Sequence, residues 1–175
     1  MTKLSFKAKA PFPKVKITTS DLDLKKAELM IRTRVTRALH AATEKTASQI
    51  DTWLDEAMDA KIYDWPRETE RSDKSIVGSP RNIVDTEALK KSKKITTRYG
   101  QTFGEVKIEY KARYASYVYY GAYIYPYGQK DRERVFTPGR PWVAYALTGE
   151  ADSSNTDIGK YIRALRRNLD LDVGS

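Results

Sequence analysis

The strongest constraint on the fold is a long amphipathic stripe between residues 21 and 60. Ser20 and Asp23 form a Ser-x-x-Asp capping pattern, and Asp21 adds negative charge in a first turn where the helix dipole favours it. Apolar residues then recur with helical period, at Ile31, Val35, Ala38, Leu39, Ala42, Ile50, Trp53, Leu54, Ala57 and Met58. The pattern predicts one helix that buries this stripe. Strict heptad spacing lapses around Glu44 and Ala47, which disfavours a coiled coil.

A β-hairpin is predicted further along the chain. Residues 94–99 and 105–110 each alternate with period two around the turn Gly100-Gln101-Thr102-Phe103-Gly104. Pairing Arg98 with Glu105 and Lys94 with Glu109 aligns Ile95, Val106 and Ile108 on one face. A slip of one residue would bury charge, so we expect this register, with the apolar face against the long helix.

Shorter elements complete an α+β fold. Asp85 is expected to cap a short helix, residues 112–121 and 140–149 to form two more, and Pro141 to lie in the first turn of the latter. A C-terminal helix over residues 156–169 would bury one stripe, made of Ile158, Ile162, Leu165 and Leu169. Residues 63–84 and 122–138 are predicted to be long loops. The sequence thus predicts one domain over residues 20–171, with the long N-terminal helix packed on a small antiparallel β-sheet, short peripheral helices and a C-terminal helix.

The first nineteen residues differ in composition from this domain. They carry no acid, two prolines and five lysines: Lys3, Lys7, Lys9, Lys14 and Lys16. Proline removes a backbone donor and like charges repel, so residues 1–19 are predicted to be an extended basic arm. Its apolar residues are too many for a solubility tail: Phe6, Phe12, Val15 and Ile17. We expect this arm to become ordered by contact with an adjacent protein chain.

Composition excludes several classes of protein. The 175 residues contain no cysteine, so disulfides and thiolate metal sites are absent. The start lacks the apolar core of a signal peptide, and no stretch approaches the ~20 apolar residues of a membrane span, so we expect no membrane association. A net charge of +9 is typical of proteins that bind nucleic acid and of proteins that meet acidic neighbours, and the sequence leaves both open.

Catalytic signals are weak. Glu105-Val106-Lys107 on a strand, with Asp85 upstream, resembles the Asp…Glu-x-Lys arrangement of metal-dependent nucleases, but alternating charge on a hairpin gives Glu-x-Lys by chance. The single histidine, His40, lies on the long helix, and no glycine-rich nucleotide-binding motif occurs. We therefore predict no enzymatic activity, no catalytic residue, no cofactor and no metal.

Three short segments in the middle of the chain carry a family resemblance. In order, they are Arg81 to Ser92 (RNIVDTEALKKS), Tyr114 to Gly121 (YASYVYYG) and Gly139 to Leu147 (GRPWVAYAL). Together they resemble the tail-completion (head-tail joining, neck) family of long-tailed bacteriophages, whose members carry Asp-Thr-Gly-x-Leu-x-x-Ser, Tyr-Ala-x-Tyr-Val-Glu-x-Gly and Arg-Pro-Phe segments in this order. Glu87 takes the place of the family glycine and Tyr119 that of the glutamate. Because an acidic residue suits a first helical turn, we expect the change at Glu87 to cost little.

The resemblance, over about residues 63–150, implies a structural virion protein without enzymatic activity. It would form a homo-oligomeric ring at the head-tail interface, first expected as a hexamer, that completes the tail and joins it to the DNA-filled head. The implied partners are connector or adaptor proteins and tail-terminator or tail-tube proteins. Genomic DNA in the pore is a further contact left open. The implied location is the virion neck or tail, after assembly in the host cytoplasm. The alternative is a basic nucleic-acid-binding protein, with a metal-dependent nuclease third.

Candidate interface residues come from the arm and the two loops. Seven of the twelve tyrosines lie between Tyr114 and Tyr127, and tyrosine is enriched at protein interfaces. Tyr114 and Tyr117 are expected to pack inward, which leaves the later tyrosines for a partner. The predicted protein interface comprises Lys3, Phe6, Lys7, Phe12, Trp65, Arg67, Tyr123, Tyr125, Tyr127, Arg132 and Arg134.

Overall fold

The computed structural model describes residues 3–9, 21–65, 68–85, 87–125, 133–150 and 159–173, with side chains except at 3–9, 21–22 and 170–173. Over these residues the elements, in chain order, are β1 (Lys3–Lys9), α1 (Asp21–Asp59), β2 (Thr69–Glu70), β3 (Ile76–Val77), α2 (Ala88–Lys91), β4 (Lys93–Tyr99), β5 (Phe103–Tyr110), α3 (Ala115–Tyr120), β6 (Gly121–Ile124), β7 (Val135–Pro138), α4 (Trp142–Thr148) and α5 (Gly159–Val173). The fold is α+β, as predicted.

The main sheet is antiparallel, in the order β1-β5-β4. The predicted hairpin register is confirmed, because Arg98 lies opposite Glu105 and Ile95 lies opposite Ile108. Val106 and Ile108 are buried, and Ile95 packs against the same core. The period-two alternation, with its one apolar row, was therefore sufficient to predict both which residues of β4 and β5 pair and which face of the hairpin is buried.

The N-terminal segment differs from its prediction. Residues 3–9 form β1, which pairs with β5 of the same chain from Lys3 opposite Glu109 to Lys9 opposite Phe103. With β4 on one side only, β5 would present an open edge of unpaired backbone groups, and Leu4, Phe6 and Ala8 alternate as a strand requires. The expected arm is therefore an edge strand over residues 3–9, while residues 10–20 lie outside the described residues.

Helix α1 has nearly the predicted bounds but buries only part of its stripe. Its first fully buried residues among those described are Ala38 and Leu39, and burial continues at Ile50, Leu54 and Met58. Ile31, predicted to be buried, is 56% exposed, and Leu29 and Met30 are also exposed. At 1.5 Å per residue, the part of α1 before residue 38 spans roughly 25 Å that the described residues barely cover.

Helices α4 and α5 close the core beside α1. Trp142, in the first turn of α4 directly after Pro141, is buried, and its ring meets those of Tyr110 and Tyr119 edge to face at 5.2 Å. In α5 the buried face is rotated relative to its prediction. Tyr161 and Leu165 are buried, whereas Ile162 is exposed. The rotation also buries Asn168, whose Nδ2 donates to Thr46 Oγ1 at 2.9 Å.

Both predicted loops contain short hairpins. Strands β2 and β3 pair within residues 63–84, and β6 and β7 pair within residues 122–138. The chain on both sides of this first hairpin is bonded to the end of α1. Before β2, Tyr63 donates its hydroxyl to Ala57 O, and after β3 the amide of Ile83 donates to Met58 O. None of the described helices combines the length and apolar character needed to cross a bilayer.

Candidate functional site

The three segments that carry the resemblance meet around one cleft of about 370 Å³. The first segment supplies Arg81, Ile83, Val84 and Leu89, the second supplies Tyr114 and Val118, the third supplies Arg140, and α1 adds Met58. The second and third segments touch through their backbones, since the amide of Arg140 donates to Val118 O at 2.9 Å. A Cβ at Gly139 would lie 2.6 Å from Tyr119 O, so glycine is required for this approach.

Two buried arginines on the cleft wall pack against one aromatic ring. The Cζ atoms of Arg140 and Arg81 lie 4.3 and 5.3 Å from the centre of the Trp65 ring. Both arginines are less than a tenth exposed. Arg81 donates to Thr69 Oγ1, and the nearby Arg71 donates to Asn82 Oδ1. The β2–β3 region and the Gly139–Pro141 turn thus bring together charges that are far apart in sequence. We call Arg71, Arg81 and Arg140 the arginine cluster.

In the part of the chain that the structure describes, no carboxylate lies close enough to the arginine cluster to form an ion pair. None of its three residues forms an ion pair there. Burial, reinforced by the charge of Arg81, lowers the pKa of Arg140 to about 10. Burial also lowers the pKa of Arg81, the charge of Arg71 adds to that effect, and the charge of Asp85 opposes it. Arg81 and Arg140 thus bring positive charge to the cleft that Asp85 offsets only in part.

The start of α2 corrects two expectations. Asp85 does not cap this helix, because its Oδ1 accepts from the amide and hydroxyl of Ser72 at 3.1 and 3.0 Å. Glu87 precedes the helix with φ 58° and ψ −2°, a left-handed conformation without a side-chain cap. Non-glycine residues adopt this conformation at a cost, so Glu87 carries backbone strain that the family glycine would not. The expectation of a small local cost was wrong for this reason.

Several predicted interface residues lie on an exposed surface away from the cleft. Tyr123 is 68% exposed and its ring lies 5.2 Å from that of Phe136, while the Cζ of Arg134 lies 5.0 Å from the ring centre of Tyr125. We call the exposed aromatic side chains of α3, β6 and β7 the aromatic face: Tyr120, Tyr123 and Phe136. Tyr114 and Tyr117, expected to pack inward, are exposed at 43% and 63%. Ala115 and Tyr119 are buried instead, because the buried side of α3 is set by contact with Trp142.

The remaining predicted interface residues are only partly described. Trp65 is half-buried beneath the arginine cluster. Lys3, Phe6 and Lys7 belong to β1, of which the structure describes the backbone. Phe12, Arg67, Tyr127 and Arg132 lie outside the described residues.

The residues weighed for catalysis are spread over several elements. Asp85 is bound to Ser72, while Lys107 pairs with Glu109 at 2.9 Å on β5. Across the residues for which side chains are described, no three histidine, aspartate or glutamate side chains are grouped as metal ligands. The ring of His40 lies 4.5 Å from that of Tyr99.

The arginine cluster was missed by the sequence analysis. Arg81 and Arg140 each stand beside a proline within segments already singled out, and Trp65 was chosen as an interface residue, but nothing in the sequence pairs them. Comparison of the chain with family models, with curated proteins and with solved structures gives no match.

Proposed function

We propose that this chain is a structural virion protein that forms a ring at the head-tail interface of a long-tailed bacteriophage. The ring, first expected as a hexamer, would complete the tail and join it to the DNA-filled head. Its neighbours would be connector or adaptor proteins on one side and tail-terminator or tail-tube proteins on the other.

One observation carries the proposal. The three segments that resemble the tail-completion family are separated by 21 and 17 residues, yet all three line one cleft, and the second and third share a backbone contact. Segments that resemble one family by chance have no reason to meet in space. Their convergence supports treating them as one functional unit.

The aromatic face supports the oligomeric part of the proposal. Tyr120, Tyr123 and Phe136 are each at least half exposed. Tyrosine and phenylalanine are enriched at protein interfaces because they bury a large area and lose little side-chain entropy. A ring needs such a surface on every subunit, and this one would be a contact between neighbours.

Mass photometry and negative-stain imaging of the purified chain test the proposal. We expect ring-shaped particles of one size, with six subunits as the first expectation. Changing Tyr123→Ser and Phe136→Ser together should reduce ring formation without lowering the thermal stability of the subunit. Ile162→Ser, an exposed apolar change on α5, is the matched control and should leave the rings intact. A chain that stays monomeric at all concentrations contradicts the proposal.

The exposed half of α1 favours the alternative of nucleic-acid binding. Its residues before position 38 include three acids, Asp21, Asp23 and Glu28, and five basic residues: Lys25, Lys26, Arg32, Arg34 and Arg37. Such a surface would bind phosphates with steep salt dependence. Salt-sensitive retention of DNA by a monomer would favour this alternative, whereas DNA retention only by rings fits contact with genomic DNA in a pore.

A further inference from the structure

The arginine cluster contains donors with nothing to bind. Six buried side-chain nitrogen or oxygen atoms in the described part of the chain lack a hydrogen-bond partner, and four belong to this cluster and its stacking ring: Arg71 Nε, Arg81 Nε, Arg140 Nε and Trp65 Nε1. Burying an unpaired charge or donor is unfavourable, so such groups normally have partners. A concentration of them beside one cleft indicates a binding site for an oxyanion.

The chain's own carboxylates at this cleft are engaged elsewhere. Asp85 accepts from Ser72, and Glu87 forms an ion pair with Lys91 at 3.0 Å. Lys90, the third basic residue on the cleft wall, is paired with Asp59 at 2.9 Å. Neither Asp85 nor Glu87 reaches the guanidiniums as an ion pair. Among the described residues no carboxylate forms an ion pair with Arg81 or Arg140, so the cleft can accept an anion from another molecule.

The remaining walls of the cleft decide which kind of anion fits. Met58, Ile83, Val84, Leu89 and Val118 form the apolar part of the lining, beside a polar part made by the charged side chains: Arg81, Asp85, Glu87, Lys90 and Arg140. A glutamate or aspartate side chain presents an apolar stem behind its carboxylate, so it can bury carbon against these walls while the carboxylate meets the arginines. A phosphate could meet the same arginines but has no such stem, so it would leave the apolar side chains of the cleft uncovered. A guanidinium fork also matches the two oxygens of a carboxylate.

We propose that the cleft binds the carboxylate of an acidic side chain from an adjacent protein chain, with Arg81 and Arg140 as its donors. Trp65 would hold both guanidiniums flat by stacking, which limits the side-chain entropy lost on binding. That the adjacent chain is a neighbour in the ring rests on the proposed function. The carboxylate site itself rests only on the geometry of the cleft.

The test follows the Nε–Hε NMR signals of the arginines in the full chain, taken as monomer. The probe is capped glutamate (N-acetyl-glutamate α-amide), with capped glutamine as its neutral isostere and inorganic phosphate as a third ligand, all at constant ionic strength. We expect capped glutamate to shift the Arg81 and Arg140 signals in a saturable way. Capped glutamine should leave them unchanged, and phosphate should bind more weakly than capped glutamate.

Variants distinguish a bound carboxylate from a general charge effect. Arg140→Met should weaken binding of capped glutamate about tenfold or more, the scale of a lost charge-assisted hydrogen bond. Arg134→Met also removes an arginine stacked on a tyrosine, but on the surface, and should leave binding unchanged. If Arg140→Met folds poorly, Arg140→Lys keeps the charge without the fork and should still weaken binding.

The outcomes separate this site from the proposed ring. Absence of saturable shifts, equal shifts with capped glutamine, or binding unaffected by Arg140→Met would overturn the carboxylate site. Tighter binding of phosphate would assign the cleft to phosphate instead and overturn the acidic side chain. If the chain binds capped glutamate but never forms rings, the carboxylate site is supported and the ring is contradicted. If rings form but capped glutamate does not bind, the ring is supported and the carboxylate site is contradicted.

Discussion

Helix α1 crosses strand β5 at Gly104, and the closeness of that crossing can be measured by substitution. An alanine Cβ at Gly104 would lie 2.1 Å from Thr43 Oγ1 and 3.2 Å from Thr43 Cβ. Non-bonded heavy atoms prefer about 3.5–4.0 Å, so the first of these distances is a severe overlap. Thr43 cannot easily turn away, because it is fully buried and its hydroxyl donates to Leu39 O at 2.7 Å. We expect Gly104→Ala to lower the free energy of unfolding by about 2–3 kcal/mol, the range of overpacked cores.

A double-mutant cycle isolates the contact itself. Thr43→Ala alone should cost about 1–2 kcal/mol, because it removes a buried methyl group and a hydrogen-bonded hydroxyl. In the double variant the overlap with Oγ1 is gone. The loss of unfolding free energy in the double variant should therefore be smaller than the sum of the two single losses by at least about 1 kcal/mol. Urea unfolding followed by circular dichroism gives the four free energies. A Gly104→Ala variant as stable as the parent, or additive costs, would refute the crossing described here.

Three further predictions concern single sites. Glu87→Gly should raise the free energy of unfolding by about 1 kcal/mol in urea titrations, because glycine adopts φ 58° without strain; Glu87→Gln, which keeps the strain, should not. Lys93→Met should cost about 1–2 kcal/mol, because the Lys93 ammonium lies 2.5 Å from carboxylates of both Asp51 and Asp55, whereas the exposed Lys94→Met should be nearly neutral. Burial raises the pKa of four tyrosines above the ordinary value of 10.0: Tyr63, Tyr110, Tyr119 and Tyr161. Their phenolate absorbance should therefore appear only when the chain unfolds. The free energy of unfolding should be constant below pH 10 and should fall above it, because the unfolded chain then releases protons that the folded chain holds.

Local patterns predicted the parts of the fold that local physics determines. The hairpin register followed from alternation around the Gly100–Gly104 turn, and the extent of α1 followed from the helical period of its apolar residues. The choice of buried face was less secure in α5, where Tyr161 rather than Ile162 packs inward. Two neighbouring apolar residues compete for one face there, and the packing of α1 against α5 decides between them.

Contacts between distant residues could not be read from the sequence. Strand β1 pairs with β5 about a hundred positions away, and an alternating basic segment is equally compatible with a free arm. The arginine cluster requires Trp65, Arg81 and Arg140 to meet through two hairpins and a turn. Composition and periodicity depend only on residues that are close in sequence. They therefore cannot predict which distant charged side chains will meet in the fold without a counter-ion.

The two departures from the family pattern are accommodated differently. At Glu87 the backbone has a left-handed conformation, which glycine adopts without strain. The glutamate at this position therefore adds strain at the start of α2. At Tyr119 the side chain becomes part of the core, with its ring 5.2 Å from Trp142 and little of it exposed. A glutamate there would place a carboxylate in apolar surroundings, or turn it toward a positive charge. This chain has a tyrosine there instead, and the guanidiniums near the neighbouring Val118 form no ion pair with a carboxylate among the described residues. An arginine cluster without an anion of its own is consistent with a cleft that receives one from another chain.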